Sequence, residues 1–421
     1  MSTSEQAPIV IVGAGIVGLC SAAYLQREGR KVTLIDAGGP GEGSTFGNAG
    51  CLNASSVVPV SMPGTIKQVP GWLMDPLGPL AIRWSYLPTF LPWLVRFWRA
   101  GTPAKVQQQA RALRPLLVDS IANYLPLAKE AGVDRLIQQI GHVFAYSTEA
   151  GYRKDEAAMQ LRADHGSAIT PLSRDDLHEL EPDLGPQFLK GRIIRENGHC
   201  ANPLGLAQGL ARLIEKRGGT ILRESVTRFE SSGREVTAVI TDRGRHAASH
   251  VVLAAGAWSK PMARQLGDAV PLDTERGYHI MIRDAESGPR IPTMWAEGKT
   301  VSTPMEGGLR FAGTVEFAGI DAPPNWERAN MQLRLGQQMY PRLAPDYPEE
   351  RLTRWMGFRP SMPDSLPVIG PATGYRNAIH AFGHGHVGLC AGSTTGRVVA
   401  DLIAGRKPII PIEAFSAKRF A

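Results

Sequence analysis

The stretch PIVIVGAGIVGLCSAAYLQREGRKVTLID, residues 8–36, decides the fold. An apolar run, Ile9 to Val12, passes into Gly13-Ala14-Gly15-Ile16-Val17-Gly18, then an amphipathic stretch, a second apolar run Lys31 to Ile35, and Asp36. Gly13 permits a tight strand-to-helix turn, Gly15 lets a pyrophosphate approach the backbone, and Gly18 lets the helix lie close on the sheet. The helix start supplies free N–H groups and a positive dipole end for phosphate oxygens. Asp36 follows Gly18 by eighteen positions, which predicts a carboxylate at the tip of the second strand holding both ribose hydroxyls. An acid there disfavours a 2′-phosphate, so the expected ligand is FAD or NAD rather than NADP.

The 421 residues are enough for two domains with separate cores. A hydrophobic fraction of 43% and a charged fraction of 20% are those of a globular protein. The net charge of +7 is spread without a Lys/Arg block, so no nucleic-acid partner is expected; positive potential instead suits anionic substrates or phospholipid. Cys20, Cys51, Cys200 and Cys390 form no CxxC pair, so neither a zinc site nor a disulfide framework is indicated, and a cytoplasmic location is expected. Met1 to Gln6 lack the basic region of a signal peptide. No segment approaches the ~20 apolar residues of a membrane span.

After Asp36 come the glycine-dense Ala37 to Gly43 and then Ser44 to Gly50, a run more suited to wrapping a ligand than to a core of its own. Residues 73–99 are rich in tryptophan, proline and arginine, and residues 103–132 read as helical. Strands are expected over 136–146 and 191–194. Asn202, Pro203 and the leucines that follow mark a capped helix ending at Gly218. Strands follow at 220–227, 235–241 and 250–258, recur from 271 to 317, and give way to a helix over 325–339. The last segment holds a strand over 377–382, the loop Gly383-His384-Gly385-His386-Val387-Gly388 and a closing helix. This order predicts an α/β fold: a Rossmann-like nucleotide domain built from 1–60, 196–265 and 350–421, with an inserted α+β substrate domain from 61–195 and 266–349. The chain leaves the nucleotide domain soon after Gly50, and no second nucleotide unit is evident. The second glycine motif, at 383–388, is followed by a proline-broken Lys407 to Pro411. It reads as a loop that directs helix-start N–H groups at an anionic flavin ring, which favours FAD over NAD.

Four segments, the opening fingerprint, LAAGAW (253–258), GFRP (357–360) and GHGHVGL (383–389), are similar to the D-amino acid oxidase superfamily, in particular to bacterial D-amino acid dehydrogenases. PGEGSTFGNAGC (40–51), SMPG (61–64), DPLGPL (75–80), PLDTERGYH (271–279) and FRPSMPDSLPVIG (358–370) resemble glyphosate oxidoreductase within that group. The likeness implies a D-amino acid oxidase-type fold and oxidation of an α-amino acid at its C–N bond by hydride transfer to FAD. The products are a 2-oxo acid or glyoxylate plus amine, and quinone or oxygen takes the electrons. Substrates would be D-amino acids or N-substituted glycines such as glyphosate or iminodiacetate. A sarcosine-type amine oxidase is the alternative within enzymes, and a binding module with structural FAD the alternative outside them.

The resemblance also assigns roles. Arg359 would pair with the substrate carboxylate, to which a guanidinium is geometrically suited. Tyr278 or His279 would face the flavin; adjacent strand residues point to opposite faces, and Tyr278 is the expected hydrogen-bonding wall. Ser44, Thr45, Asn48, Ala49 and Gly50 would run past the isoalloxazine ring, with hydroxyls bonding phosphate or ring. Cofactor contacts are further expected from Gly13, Gly15, Ile16, Val17, Gly18, Asp36, Ala37, Val226, Ala255, Gly256, Trp258, Gly385, His386, Val387, Gly388 and Leu389. Gly357 stands where sarcosine-oxidase-like relatives carry a flavin-linking cysteine, which implies noncovalent FAD, and no ligand cluster argues for a metal. The aromatic and arginine-rich stretch 83–99 has two readings: packing between domains, or peripheral contact with the inner face of a membrane, where quinone would be met. Pro88 and Pro92 argue against a long amphipathic helix there.

Overall fold

The computed structural model describes residues 7–64 and 80–421; the 75–79 part of the DPLGPL motif and Met1 to Gln6 fall outside that range. Among the described residues, one sheet of six strands runs in the order Thr220–Arg223, Val32–Asp36, Ile9–Val12, His250–Leu253, Ala378–Phe382, Val368–Pro371. The first five are parallel and the last is antiparallel. Helices cover this sheet, so the strands are short apolar runs: Val10, Ile11, Val251 and Val252 are all fully buried.

Helix Ile16–Arg27 is buried along most of its length because helices Pro203–Lys216 and Gly388–Ile403 flank it. Gly396 permits the second crossing, since a Cβ there would stand 2.7 Å from the Cys20 backbone. Asn202 caps its helix as expected, its side chain accepting from Gly205 N–H at 2.8 Å with Pro203 in the first turn.

A second sheet takes the order Leu352–Ser361, Asp273–Arg283, Gly308–Phe317, Thr300–Met305, Thr293–Trp295, His142–Tyr146, Lys190–Ile194, Thr170–Leu172, with Leu80–Ile82 pairing Gly308–Phe317 from outside that path. Strands Val226–Ser232, Glu235–Thr241 and Arg245–Ala247 form a separate antiparallel meander, so the strand expected over 220–227 is divided between two sheets.

The expected domain boundaries need correction in two places. Leu352–Ser361, assigned by sequence to the nucleotide domain, pairs with Asp273–Arg283 from Leu352 to Ser361; the chain returns to the six-stranded sheet only after Ser361. Helices Pro103–Leu117 and Ser120–Glu130, assigned to the inserted domain, pack on the nucleotide side. Leu113, Leu116 and Leu117 join Ile369 and Val387, and Tyr124 and Leu127 join Ile16 and Leu19. Their apolar periodicity shows which face is buried, not which sheet receives it.

Residues Leu87–Ala100 are helical despite both prolines. Pro88 lies in the first turn, where no N–H is needed, and Pro92 forfeits one bond. Burial compensates: Phe90 stacks on Phe317 with centroids 4.1 Å apart, and Trp93 on Phe97 at 5.2 Å. The opposite side exposes Leu91, Val95 and Trp98. Among the described residues no helix is long and apolar enough to cross a membrane.

Candidate active site

A cavity of about 1330 Å³ is lined by the carboxyl ends of the parallel strands, the loop Ala37 to Ala49, and one face of the larger sheet. That is where an open α/β sheet binds its ligand. At the nucleotide end the glycines divide their work. Gly13 has φ +109°, and a Cβ there would lie 2.4 Å from the Ala254 carbonyl oxygen; one on Gly18 would lie 2.0 Å from that of Gly13. Gly15 has nothing nearer than Thr45 Oγ1 at 3.7 Å, which leaves the helix start open. Asp36 accepts from Ala14 N–H at 2.7 Å through Oδ2 and from Gly38 N–H at 2.8 Å through Oδ1. It therefore braces the turn, and each oxygen keeps a further lone pair for a ribose. These residues fit a dinucleotide.

Of the expected cofactor contacts, Gly13, Gly15, Ile16, Val17, Asp36, Ala37, Ser44, Thr45, Asn48, Ala49, Val226, Ala255, Gly256, Trp258 and Gly385 to Leu389 line the cavity. Gly18 and Gly50 do not; both are packing glycines, a Cβ on Gly50 (φ +80°) lying 2.7 Å from the Cys200 carbonyl oxygen. The hydroxyls expected to bond phosphate or ring also have partners within the protein. Thr45 Oγ1 accepts from Ile16 N–H at 3.1 Å, and Ser44 Oγ donates to the Phe358 carbonyl at 2.5 Å, tying the loop to the strand that carries Arg359. The Cys51 and Cys390 thiols in the wall are pushed up to about 12 by burial.

The larger sheet sets the other end. Across the Asp273–Arg283/Leu352–Ser361 pair, Glu275 stands opposite Arg359, Gly277 opposite Gly357 and His279 opposite Trp355; directly opposed residues share a face. The Arg359 guanidinium crosses Gly277, where a Cβ would be 2.4 Å from Nη2. Its Nη1 donates to the Thr314 carbonyl at 3.2 Å, and no carboxylate among the described residues lies within ion-pair distance. Glu275 is buried, accepts from Ser361 Oγ at 2.5 Å, and has its carboxyl pushed up by burial despite the Arg359 charge. Thr314 has φ +60° at a bulge, an unusual conformation for a β-branched residue, and its buried Oγ1 has no partner.

The expected role of Tyr278 is corrected. Tyr278 borders the cavity, but its side chain lies on the opposite sheet face from Arg359, where the hydroxyl donates to Glu316 at 2.5 Å and accepts from Asn325 N–H at 3.0 Å. His279 shares the Arg359 face yet does not reach the cavity: it is covered by Trp355, stacked at 5.3 Å, and its Nδ1 donates to the Gly47 carbonyl at 3.0 Å. Trp355 is the aromatic wall instead, and glycine is required on both its sides. A Cβ on Gly357 or Gly47 would come within 1.8 or 2.0 Å of its ring.

His384 lines the same loop and bonds Thr395 Oγ1 at 3.0 Å. His386 is exposed to the cavity; desolvation by the surrounding protein and the charges of Arg359 and Arg162 hold its imidazole below the usual histidine range, so it is neutral at pH 7.

Fold and cavity together define a FAD-dependent oxidoreductase, and the chain belongs to that family: the family described as FAD dependent oxidoreductase matches residues 8–402. FAD is its cofactor. The chain is 45% identical over 415 residues to a D-amino-acid oxidase of Bradyrhizobium diazoefficiens, covering 98% of each. It is 30% identical to a D-amino acid dehydrogenase of Paramagnetospirillum magneticum, again over 98% of each. The structure of glycine oxidase from Geobacillus kaustophilus shares the fold with a TM-score of 0.73 at 21% identity, over 98% of both chains.

Sequence reasoning missed Glu275, Thr314, Trp355 and the apolar wall of Phe90, Trp93 and Phe97. Only strand register places Glu275 and Trp355 beside the arginine; the glycines at 47 and 357 were the signal for a large neighbouring ring.

Proposed function

We propose that the protein oxidises the C–N bond of an α-amino acid, either a D-amino acid or an N-substituted glycine, to an imine. Water then hydrolyses the imine to a 2-oxo acid or glyoxylate and free amine. The observation that carries this reading is Arg359: a guanidinium in the wall of a cofactor-sized cavity, with a single backbone carbonyl as partner. Its remaining N–H donors suit a carboxylate fork. Bound FAD supplies the acceptor for the hydride leaving Cα and for its two electrons.

The protein orients and shields. Arg359, steadied by the Thr314 carbonyl, fixes the carboxylate, which leaves rotation about one bond to aim Cα–H. The loop Asn48-Ala49 leaves room at the ring position, and the neutral His386 adds no positive charge there. The substrate amine must be neutral for its lone pair to assist hydride loss. The buried Phe90, Trp93 and Phe97 exclude water from the far wall.

Noncovalent attachment of FAD accords with Gly357, whose place is filled by the Trp355 ring. Quinone or oxygen reoxidises the flavin. Peripheral contact with an anionic membrane is supported by Leu91 and Trp98, exposed beside Arg96 and Arg99; co-sedimentation with anionic vesicles, lost in Trp98→Ser, tests it. The activity is tested with purified holoenzyme and a panel of D-amino acids, their L-enantiomers, sarcosine, iminodiacetate and glyphosate, under oxygen and under quinone. Formation of 2-oxo acid or glyoxylate supports the proposal; an inert panel refutes it.

A further inference from the structure

The cavity has a second arginine, at its other side chain cluster. Arg162 lies on helix Glu156–Asp164 and lines the cavity with His142, Phe144 and Lys299. Its guanidinium lies over the Phe144 ring, 5.1 Å from the centroid. Nη1 has only a long contact with Met159 Sδ at 4.0 Å, and the buried Nε has no partner.

Neighbouring arginines are matched. Arg114 forms a two-pronged pair with Glu196 at 2.8 Å, and Arg192 pairs with Glu156 and donates through Nη1 to the Tyr146 hydroxyl oxygen at 3.2 Å. The acid closest in effect to Arg162 is Asp155, which accepts the Tyr146 hydroxyl at 2.6 Å and forms no ion pair with Arg162. A partly buried cation without a counterion is costly. The cost is removed when an anionic ligand supplies the missing charge.

Two further features belong to the same end. Lys299 is held at φ +52°, a left-handed conformation rare for a long side chain, and it borders the cavity. His142 is buried and hydrogen-bonded to Asn53 at 3.3 Å. The Arg162 end and the Arg359 end share one space, since both side chains line the same cavity, with His386 in its wall as well.

We propose that Arg162 forms a second anion subsite in this cavity, so that the preferred substrates carry a distal carboxylate or phosphonate besides the α-carboxylate held by Arg359. This rests on the reading of Arg359 given above. The class comprises aminodicarboxylic acids and glycines whose nitrogen bears a carboxymethyl or phosphonomethyl group.

The test is binding of non-oxidisable acids to the holoenzyme, read by perturbation of the flavin spectrum, with glutarate compared with butyrate. Wild type is expected to bind glutarate at least about tenfold more tightly, the ~1.4 kcal/mol of one charge-assisted contact. Arg162→Met should abolish that preference and leave butyrate unchanged; Arg162→Lys should keep part of it. Equal affinity of wild type for the two acids, or a preference that survives in flavin-replete Arg162→Met, overturns the subsite. If Arg162→Met does not fold, the wild-type comparison and the lysine variant decide. Tight glutarate binding with no amino acid oxidised would refute the activity while upholding the subsite. Oxidation of neutral amino acids with no diacid preference would do the reverse.

Discussion

Replacing Arg359 by methionine removes the proposed carboxylate anchor while keeping most of the side-chain volume. The guanidinium has one internal hydrogen bond, to the Thr314 carbonyl, so the cost falls on ligand binding more than on the fold. A fork to a carboxylate makes two charge-assisted bonds of about 1.5–3 kcal/mol each. Their loss, about 3–6 kcal/mol, lowers kcat/KM by roughly 10²- to 10⁴-fold. Glu275, buried opposite Arg359 with its carboxyl already raised, would lose a favourable charge and take up a proton rather than remain an unpaired anion. Arg359→Lys restores the charge without the fork and should recover part of the loss. The assay is steady-state kinetics at fixed flavin occupancy, with flavin content measured on each variant. A fall below tenfold in flavin-replete Arg359→Met would remove the residue from the substrate site.

Three further outcomes follow from the geometry. Burial lowers His142, His279 and His384 to about 3 and His199 to about 4. Below the unfolded value of 6.5 the unfolded chain takes up protons that the native chain refuses, so stability is full above that pH and falls as the solution is acidified. At pH 5.5 each histidine costs about 1.4 kcal/mol. Glu181, raised to about 7 by burial, has the opposite sign and returns about 2 kcal/mol. The net loss is about 3.5 kcal/mol, a fall of roughly 4 °C in Tm between pH 7.5 and 5.5 by calorimetry; an unchanged or higher Tm would contradict it. Gly357→Ala forces the Trp355 ring from its place and should cost about 1–3 kcal/mol in denaturant unfolding, where no change would show that the ring has room. Asp36→Asn replaces one acceptor of two backbone N–H bonds by a donor, and FAD titration of the apoprotein should show about 10- to 100-fold weaker binding.

Residues 8–36 and 383–389 were legible because their signals are local: glycines at fixed offsets between a strand and a helix, and an acid at the next strand tip. The place of Arg359 in the cavity wall was legible through its motif. Its surroundings were not, because they depend on register. Glu275 lies 84 positions away in the chain and meets Arg359 only when two antiparallel strands pair as they do. Strand alternation correctly separates Tyr278 from His279 but cannot say which face meets the cofactor; the Tyr278 hydroxyl is bonded on the far face and the Trp355 ring covers the His279 imidazole. The bulge at Thr314 leaves no mark in a β-branched sequence that otherwise reads as regular strand. Pro92 misled because its penalty is local whereas the stacking of Phe90, Trp93 and Phe97 is tertiary.

The central claim is that Cα–H of an amino acid is delivered to the flavin from a carboxylate held by Arg359. Anaerobic mixing of the holoenzyme with an active amino acid, followed at about 450 nm where oxidised flavin absorbs, tests it in one turnover. The account predicts bleaching that is slower when Cα carries deuterium and is nearly lost in Arg359→Met. Flavin that stays oxidised with every α-amino acid offered, or bleaching indifferent to both deuterium and Arg359, would contradict it.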